Sequence, residues 1–167
     1  MRKGDAEPYT YEGMEIGLAK VAEVLKTEGP FDGVIGFSQG GALAGMVASL
    51  LEPGRAEAFT KNQANGGMPF PTSFEDEEAS SGYVTELVHS PLKFAVSYSG
   101  FAASTNVKYA SFYEPKIRTR MLHFLGQVDT VVEESRSLRL VDACVEGAGE
   151  GERRVVYHPG GHFLPSR

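Results

Sequence analysis

The sequence has a single cysteine, no clustered basic residues and no long apolar run, and each absence excludes a class of protein. Cys144 alone forms neither a disulfide framework nor a cysteine-based metal site. A net charge of −6 with scattered lysines and arginines argues against nucleic-acid binding, because phosphate contacts require a basic face. No apolar run reaches the roughly 18 residues of a membrane span, and residues 1–11 lack the apolar segment of a signal peptide. We therefore expect a cytosolic protein that contacts neither nucleic acid nor membrane.

Length and composition predict one globular domain over residues 1–167. The 167 residues are 41% hydrophobic and 23% charged, which is ordinary for a soluble domain. A chain of this size buries a sizeable core without disulfides or metals. Its 20 glycines and 9 prolines favour a fold with many sharp strand-to-helix turns over a helical bundle.

The order of apolar segments predicts a mostly parallel sheet. The predicted strands are residues 31–37, 92–99, 118–126 and 153–158, and the predicted helices are residues 12–28, 38–51 and 132–147. Residues 55–90 are the least regular stretch, which we interpret as part helix and part long surface excursion. This alternation predicts an α/β fold with helices on both faces of the sheet. Functional residues are then expected at the carboxyl ends of the strands.

The segment Gly36-Phe37-Ser38-Gln39-Gly40 matches the Gly-x-Ser-x-Gly pattern of a nucleophile elbow. It begins where a predicted strand ends and opens a helix of small residues, which is the setting that the motif requires. The turn is tight, so side chains two residues before and after the serine are expected to collide with backbone, and both positions are glycine. The Gln39 N–H would be one donor to the oxyanion that forms when Ser38 attacks a carbonyl. The alternative is a glycine-rich helix start that binds an anion or simply turns the chain.

His162 is the predicted general base. A serine hydroxyl is a poor nucleophile unless a base lies within hydrogen-bond reach. His162 follows the last predicted strand through two glycines, in a loop that is able to bring the imidazole to Ser38. The other histidines are expected to be structural: His123 in the core, His89 on the surface and His158 at a strand end.

Asp129 is the predicted acid of a catalytic triad. It follows the third predicted strand, and it is therefore expected at the same edge of the sheet as Ser38. It also keeps the chain order Ser, Asp, His of α/β-hydrolases. Its alternative role is to cap the helix predicted from residue 132. The three residues together would hydrolyse an ester or thioester through an acyl-enzyme, and this chemistry requires no metal or cofactor.

Four segments resemble sequence blocks of the FSH-type serine hydrolases, the group that includes the ovarian-cancer-associated hydrolase. They are residues 29–41, 97–101, 123–132 and 158–165. The resemblance is greatest to fungal members, some of which are discrete thioesterases that release acyl chains from polyketide synthases, while others are short-chain carboxylesterases. It implies an α/β-hydrolase fold, a small acyl ester or thioester as substrate, and a role in fungal secondary metabolism with an acyl carrier or polyketide synthase as partner.

The sequence departs from the family pattern at both ends. Family members begin with a strand that leads into a His-Gly-containing loop, the source of a second oxyanion N–H, and nothing similar precedes Glu12. The usual helix after the catalytic histidine is also short. The strand at residues 31–37 would then be a sheet edge. We therefore expect low or absent esterase activity of this chain alone, since one oxyanion donor contributes about 10²–10³ in turnover, and we expect homodimers or aggregates that form through the edge.

Two other functions compete with an active hydrolase. The first is a non-catalytic, hydrolase-like binding or regulatory module in which the triad is a relic. The second is a flavodoxin-like binding protein, which is disfavoured because it gives no reason for Asp129 and His162 to follow Ser38 in triad order.

The sequence also suggests which residues form the substrate pocket. Residues 55–90 are expected to line or cap an acyl pocket, and a solvated loop is the equal alternative. The candidate apolar contacts are Phe70, Phe74, Tyr83 and Phe101.

Overall fold

The structure, a computed structural model, describes residues 2–3, 8–76, 86–103, 105–146 and 154–165. The α-helices are α1 (Met14–Glu28), α2 (Gln39–Leu50), α3 (Arg55–Gln63) and α4 (Glu134–Asp142). The strands are β1 (Arg2–Lys3), β2 (Thr10–Tyr11), β3 (Gly33–Phe37), β4 (Phe94–Tyr98), β5 (Arg120–Gly126) and β6 (Val155–His158). Two 3₁₀ helices cover Thr72–Phe74 and Val107–Phe112.

Strands β3 to β6 form one sheet in the order β3-β4-β5-β6, and every neighbouring pair is parallel. Val34 of β3 is paired with Ala95 of β4, which is paired in turn with Met121 of β5. Strands β1 and β2 form a separate antiparallel pair. The predicted α/β class and parallel pairing are thus confirmed, and within the described residues β3 is one edge of the sheet.

The two faces of the sheet differ in how well they are covered. Ala95 and Met121 are 1% and 4% exposed, because they pack with Ala48 of α2 and Leu140 of α4. The opposite face carries half-buried or exposed residues: Ile35, Phe37, Val96, Tyr98, Leu122, Phe124 and Val156. Helices were predicted on both faces, whereas those packed on the sheet in the described residues lie on one.

Helix α2 lies close to the sheet because it is built from small residues. Ala44 and Ala48 are buried. A Cβ atom added at Gly45 would lie 3.0 Å from Leu140 Cδ1. At the start of the helix, a Cβ atom at Gly41 would lie 2.8 Å from Ser97 Oγ and 2.9 Å from Gly100 Cα. This close approach fixes the N-terminus of α2 against the carboxyl end of β4.

The described part of residues 55–90 contributes to the hydrophobic core. The Phe59 ring packs edge-on against Phe70 and Phe112, with ring centroids 5.4 Å and 5.0 Å apart. Phe59 and Phe74 are both fully buried and belong to the cluster that also contains Leu18 of α1. Part of this stretch is helical, as expected (α3), and Met68, Phe70 and Phe74 beyond the helix pack on the body of the domain.

The histidines outside the triad are all buried. His89 is 8% exposed and accepts a hydrogen bond from the Phe31 N–H at 2.8 Å, so the surface position predicted for it is wrong. His123 is 2% exposed, as predicted. His158 is buried at the end of β6, where its Nδ1 accepts from the Gly160 N–H at 3.2 Å.

Candidate active site

Ser38 lies on a strained turn between β3 and α2. Its φ of 55° and ψ of −116° are unfavourable for a residue with a Cβ atom. Two hydrogen bonds hold the turn: the Ser38 N–H donates to Tyr98 O at 2.8 Å, and Ser38 O accepts from the Ala42 N–H at 3.1 Å. A Cβ atom added at Gly36 would lie 2.0 Å from Gly40 O. Glycine at position 36 is therefore required by the backbone that crosses it.

Gly40 does not have the steric role that the sequence predicted for it. A Cβ atom at Gly40 would meet no atom within 4 Å outside its own helix, whereas one at Gly41 would collide with the end of β4. The second glycine that the elbow needs is therefore Gly41. The two adjacent glycines follow the elbow as predicted, but the spacing of the motif assigned the steric role to Gly40 when it belongs to Gly41.

The side chains of Ser38, His162 and Asp129 form one continuous row. Ser38 Oγ is 2.9 Å from His162 Nε2, and His162 Nδ1 is 2.8 Å from Asp129 Oδ2. The side chains of Asp129 and His162 are 6% and 17% exposed, so both are largely shielded from water and the carboxylate more than the imidazole. The structure therefore brings together the three residues selected from the sequence.

Backbone donors fix the carboxylate of Asp129. Its Oδ1 accepts hydrogen bonds from the N–H groups of Val131 and Val132, each at 2.9 Å. Burial by itself would raise the pKa of Asp129, but hydrogen bonds from Val132, His162 and Val131 outweigh it and hold the pKa below its usual range. Helix α4 begins only at Glu134, after the cap residue Glu133, so Asp129 closes the preceding turn and does not cap that helix.

The loop that carries His162 crosses the end of β5 at a glycine. A Cβ atom at Gly126 would lie 2.5 Å from Gly161 O and 2.6 Å from Gly160 O. The Val128 N–H donates to Gly160 O at 3.2 Å, which ties the loop of the acid to the loop of the base. The His162 ring also packs on Phe37, with ring centroids 4.8 Å apart. These contacts set the plane of the imidazole.

Comparison with known proteins gives the family. The family model described as "Serine hydrolase (FSH1)" matches residues 2–167. The chain belongs to the FSH1 serine hydrolase family. The resemblance noted in the sequence is thereby confirmed.

Two curated relatives show how far this FSH1 family member extends. It is 32% identical to Esterase OVCA2 of Danio rerio over 155 residues, which are 92% of this chain and 52% of that protein. It is 35% identical to a Schizosaccharomyces pombe protein named dihydrofolate reductase, over 95% of this chain and 27% of that protein. The chain thus spans about half, or less, of the curated relatives it matches.

A solved structure supports the fold of this family member. The crystal structure of Zea mays acyl-protein thioesterase 2 matches 99% of this chain and 64% of that chain, with a TM-score of 0.54 and 22% sequence identity. At this identity the match concerns the fold, an α/β sheet with helices.

Gln39 is the first residue of α2, directly after Ser38. N–H groups in the first turn of a helix have no partner within the helix, and they form the positive end of its dipole. Gln39 therefore lies where an oxyanion donor is needed, and its role as that donor stays a prediction.

The residues predicted to contact substrate fall in different places. Phe101 is 8% exposed and lines a cleft that also contains Gln39. Phe70 lines a separate cleft beside α1. Phe74 is fully buried in the hydrophobic core. Tyr83 lies outside the described residues.

Ser99 was not selected from the sequence, although it follows β4 directly before Gly100. Its φ of 46° places it in the left-handed region, and its N–H donates to Phe124 O at 2.8 Å. Its buried hydroxyl adds a small lowering of the pKa of Asp129, although it meets no partner at hydrogen-bonding geometry.

Two kinds of feature are absent from the described ranges. No group of three or more histidine, cysteine, aspartate or glutamate side chains is arranged there to hold a metal ion. Among the helices of those ranges, none combines the length and apolarity that crossing a bilayer requires.

Proposed function

We propose that the chain hydrolyses a carboxylic ester or thioester through Ser38, His162 and Asp129, at the low rate expected from the sequence for this chain alone. The observation that carries this proposal is the unbroken row of contacts, 2.8 Å from Asp129 to His162 and 2.9 Å from His162 to Ser38. Both distances are within the range over which a general base takes a proton from a nucleophile. An anion-binding helix start would require neither contact.

The chemistry begins with the tautomer of His162. If Nδ1–H donates to Asp129 Oδ2, then Nε2 is the acceptor for the Ser38 hydroxyl. As Ser38 Oγ attacks the carbonyl carbon, its proton moves to Nε2, and the carboxylate of Asp129 stabilises the imidazolium. The oxyanion accepts a hydrogen bond from the Gln39 N–H.

After the attack, His162 acts first as a general acid and then again as a general base. The imidazolium of His162 donates its proton to the leaving alcohol or thiol as the carbonyl–oxygen or carbonyl–sulfur bond breaks. Water then attacks the acyl-enzyme, with His162 again as the base, and releases the carboxylic acid and free Ser38. Asp129 must stay ionised throughout, which its lowered pKa favours.

Labelling with a fluorophosphonate probe tests the proposal. We expect labelling of the wild-type chain at pH 7–8 and none of Ser38→Ala, with circular dichroism as the check that the variant is folded. No labelling of folded wild type at any pH between 6 and 9 would overturn the proposal. It would favour the alternative, a non-catalytic binding or regulatory module.

We further propose that the substrate class is a small acyl thioester of fungal secondary metabolism, with an acyl carrier or polyketide synthase as partner in the cytoplasm. The support is the resemblance of four segments to fungal members of this family, some of which are such thioesterases. A panel of p-nitrophenyl esters and carrier-bound acyl thioesters tests the proposal. Faster hydrolysis of the carrier-bound thioester than of the matching free thioester is expected, and equal rates would argue against a carrier partner.

We also propose that two copies of this chain associate through the edge of the sheet at β3. Unpaired backbone groups of an edge strand are a template for pairing with another strand. Ile35 on this strand is 66% exposed, and it lies on the open apolar face of the sheet, beside Val96 of β4. Light scattering should detect a dimer that Ile35→Lys weakens. A wild-type monomer at all concentrations would exclude the interface.

A further inference from the structure

An apolar cleft of about 230 Å³ lies between α1 and α2. Its walls include Met14 and Gly17 of α1, Leu43 and Met46 of α2, and Phe101. Glu12 is the one charged residue of the lining. We call it the α2 cleft, and its lining suits an uncharged aliphatic group.

The α2 cleft begins at the nucleophile elbow. Gln39 and Ala42 are both part of its lining, Gln39 follows Ser38 directly, and the Ala42 N–H donates to Ser38 O at 3.1 Å. An acyl chain whose carbonyl oxygen faces the Gln39 N–H therefore has this cleft beside it.

The walls of the α2 cleft are fixed by packing on their outer side. Met46 is 4% exposed and belongs to the main hydrophobic cluster. The Arg136 guanidinium lies 4.2 Å from the centre of the Phe101 ring, a cation–π contact that holds the aromatic wall. The Tyr11 hydroxyl donates to Ala103 O, and both residues line the cleft. A site whose walls are already packed binds without a large ordering cost.

A second cleft, of about 460 Å³, lies beside α1 and includes Ala19, Met68 and Phe70. It is larger, and it contains Phe70, one of the four aromatic residues that the sequence suggested for acyl contact. Its lining includes no residue of the elbow or of the loops that carry Asp129 and His162. Lys108 and Glu15 in its wall lie 3.8 Å apart as an ion pair, which is a poor neighbour for an aliphatic chain. We call it the Phe70 cleft.

We propose that the α2 cleft binds the acyl group of the substrate and limits it to short chains. This inference rests on the proposed ester or thioester hydrolysis at Ser38. Pockets for drug-sized ligands measure about 300–1,000 Å³, and the α2 cleft is smaller than that range. A butyryl group is the kind of acyl group that it suits, and fatty acyl chains are too long.

Filling each cleft from the same helix tests the assignment. A Cβ atom at Gly17 meets nothing within 4 Å, so Gly17→Leu extends a side chain into the α2 cleft and also improves helix propensity. Ala19→Leu, two residues further along α1, extends a side chain into the Phe70 cleft and is the matched control. We expect Gly17→Leu to lower kcat/KM for p-nitrophenyl butyrate at least tenfold relative to p-nitrophenyl acetate, and Ala19→Leu to leave that ratio unchanged. The reverse result, or no change of the ratio in either variant, would overturn the proposal.

A binding experiment separates this proposal from the hydrolase assignment. Met14 and Met46 line the α2 cleft and Met68 lines the Phe70 cleft, so methyl-labelled methionines report on both. On addition of ethyl butyrate to the Ser38→Ala chain, which cannot form an acyl-enzyme at that residue, the methyl signals of Met14 and Met46 should shift while that of Met68 stays. A shift of Met68 alone, or of none, defeats the cleft assignment even if wild type reacts with fluorophosphonate. If the methyl signals of Met14 and Met46 shift but wild type never reacts with fluorophosphonate, the hydrolase assignment fails and the α2 cleft is a binding site.

Discussion

Asp129 and Glu52 are both carboxylates that accept hydrogen bonds from two backbone N–H groups, but their remaining partners differ. Glu52 Oε1 accepts from the N–H groups of Arg118 and Thr119 at 2.6 Å and 2.7 Å, and Oε2 accepts from Arg55 Nη2 at 2.7 Å. The row ends where Arg55 Nη1 donates to the carbonyl oxygens of Ser111 and Pro115. The comparable row from Asp129 passes through His162 and ends on a hydroxyl.

The difference shows what separates a structural cluster from a candidate active site. The side chains of Glu52 and Arg55 are 4% and 1% exposed, and the end of the row is closed by backbone. The row from Asp129 contains an imidazole, which is able to accept and donate a proton, and it ends on the half-buried hydroxyl of Ser38. Asp129 and Glu52 are alike in burial and in their backbone hydrogen bonds. The chemistry therefore depends on the side chain that each carboxylate contacts, which is His162 for Asp129 and Arg55 for Glu52.

The largest effect is expected from Asp129→Asn. The amide keeps an oxygen for the N–H groups of Val131 and Val132, but it no longer stabilises the reactive tautomer and the imidazolium of His162. We expect kcat to fall about 10⁴-fold, equivalent to about 5.5 kcal/mol in the activation barrier. Steady-state hydrolysis of p-nitrophenyl acetate measures the loss, and urea unfolding should show little change. Activity within tenfold of wild type would mean that this carboxylate is structural, like Glu52.

Glu52→Gln should have the opposite outcome to Asp129→Asn, because it should lower stability and leave the reactivity of Ser38 unchanged. Glu52→Gln leaves the Arg55 charge buried without a counter-charge, which costs about 3–5 kcal/mol in the free energy of unfolding. Glu57→Gln, at an exposed position of α3, is the matched control and should change stability by no more than about 0.5 kcal/mol. Fluorophosphonate labelling of the folded Glu52→Gln fraction should equal that of wild type. Unchanged stability would show that the buried pair contributes nothing.

The buried His123, which lies outside both rows, gives a third, smaller effect. Burial, with a contribution from Arg154, lowers the pKa of His123 to about 4, and its Nε2 lies 3.9 Å from Cys144 Sγ. The unfolded chain therefore binds more protons between about pH 4 and pH 6.5, and stability falls as pH decreases through that window. The difference between a pKa of 6.5 and one of about 4 corresponds to at most about 3 kcal/mol.

Urea unfolding at pH 7 and pH 4.5 measures this effect. His123→Leu should lose less stability than wild type between the two pH values, whatever its stability at pH 7. An equal loss in both proteins would show that other groups cause the acid sensitivity.

The parts of the fold that the sequence predicted are those that depend on local pattern and chain order. Gly-x-Ser-x-Gly after an apolar strand located the turn at Ser38. Because the carboxyl ends of parallel strands share one edge, Asp129 and His162 were placed there from their positions after β5 and β6. Their catalytic roles stay predictions.

The parts that were missed depend on partners distant in the chain. Arg55 is 1% exposed because Glu52 and two carbonyl oxygens surround it, and composition gives no sign of that burial. His89 is buried because the Phe31 N–H, 58 residues away, donates to it. Phe74 was expected at a pocket because its segment was irregular, but it lies in the core.

The smallest effect tests the elbow itself, where the sequence treated two glycines as equivalent. A Cβ atom at Gly36 would lie 2.0 Å from Gly40 O, so Gly36→Ala must displace the turn, at a cost of about 1–3 kcal/mol in stability. Gly40→Ala points into open space within a helix and should be stabilising by about 0.5–1 kcal/mol. Urea unfolding and fluorophosphonate labelling of both variants provide the measurement. Equal effects of the two substitutions would mean that the elbow relaxes around an added methyl group, and that its strain is not what holds Ser38 in place.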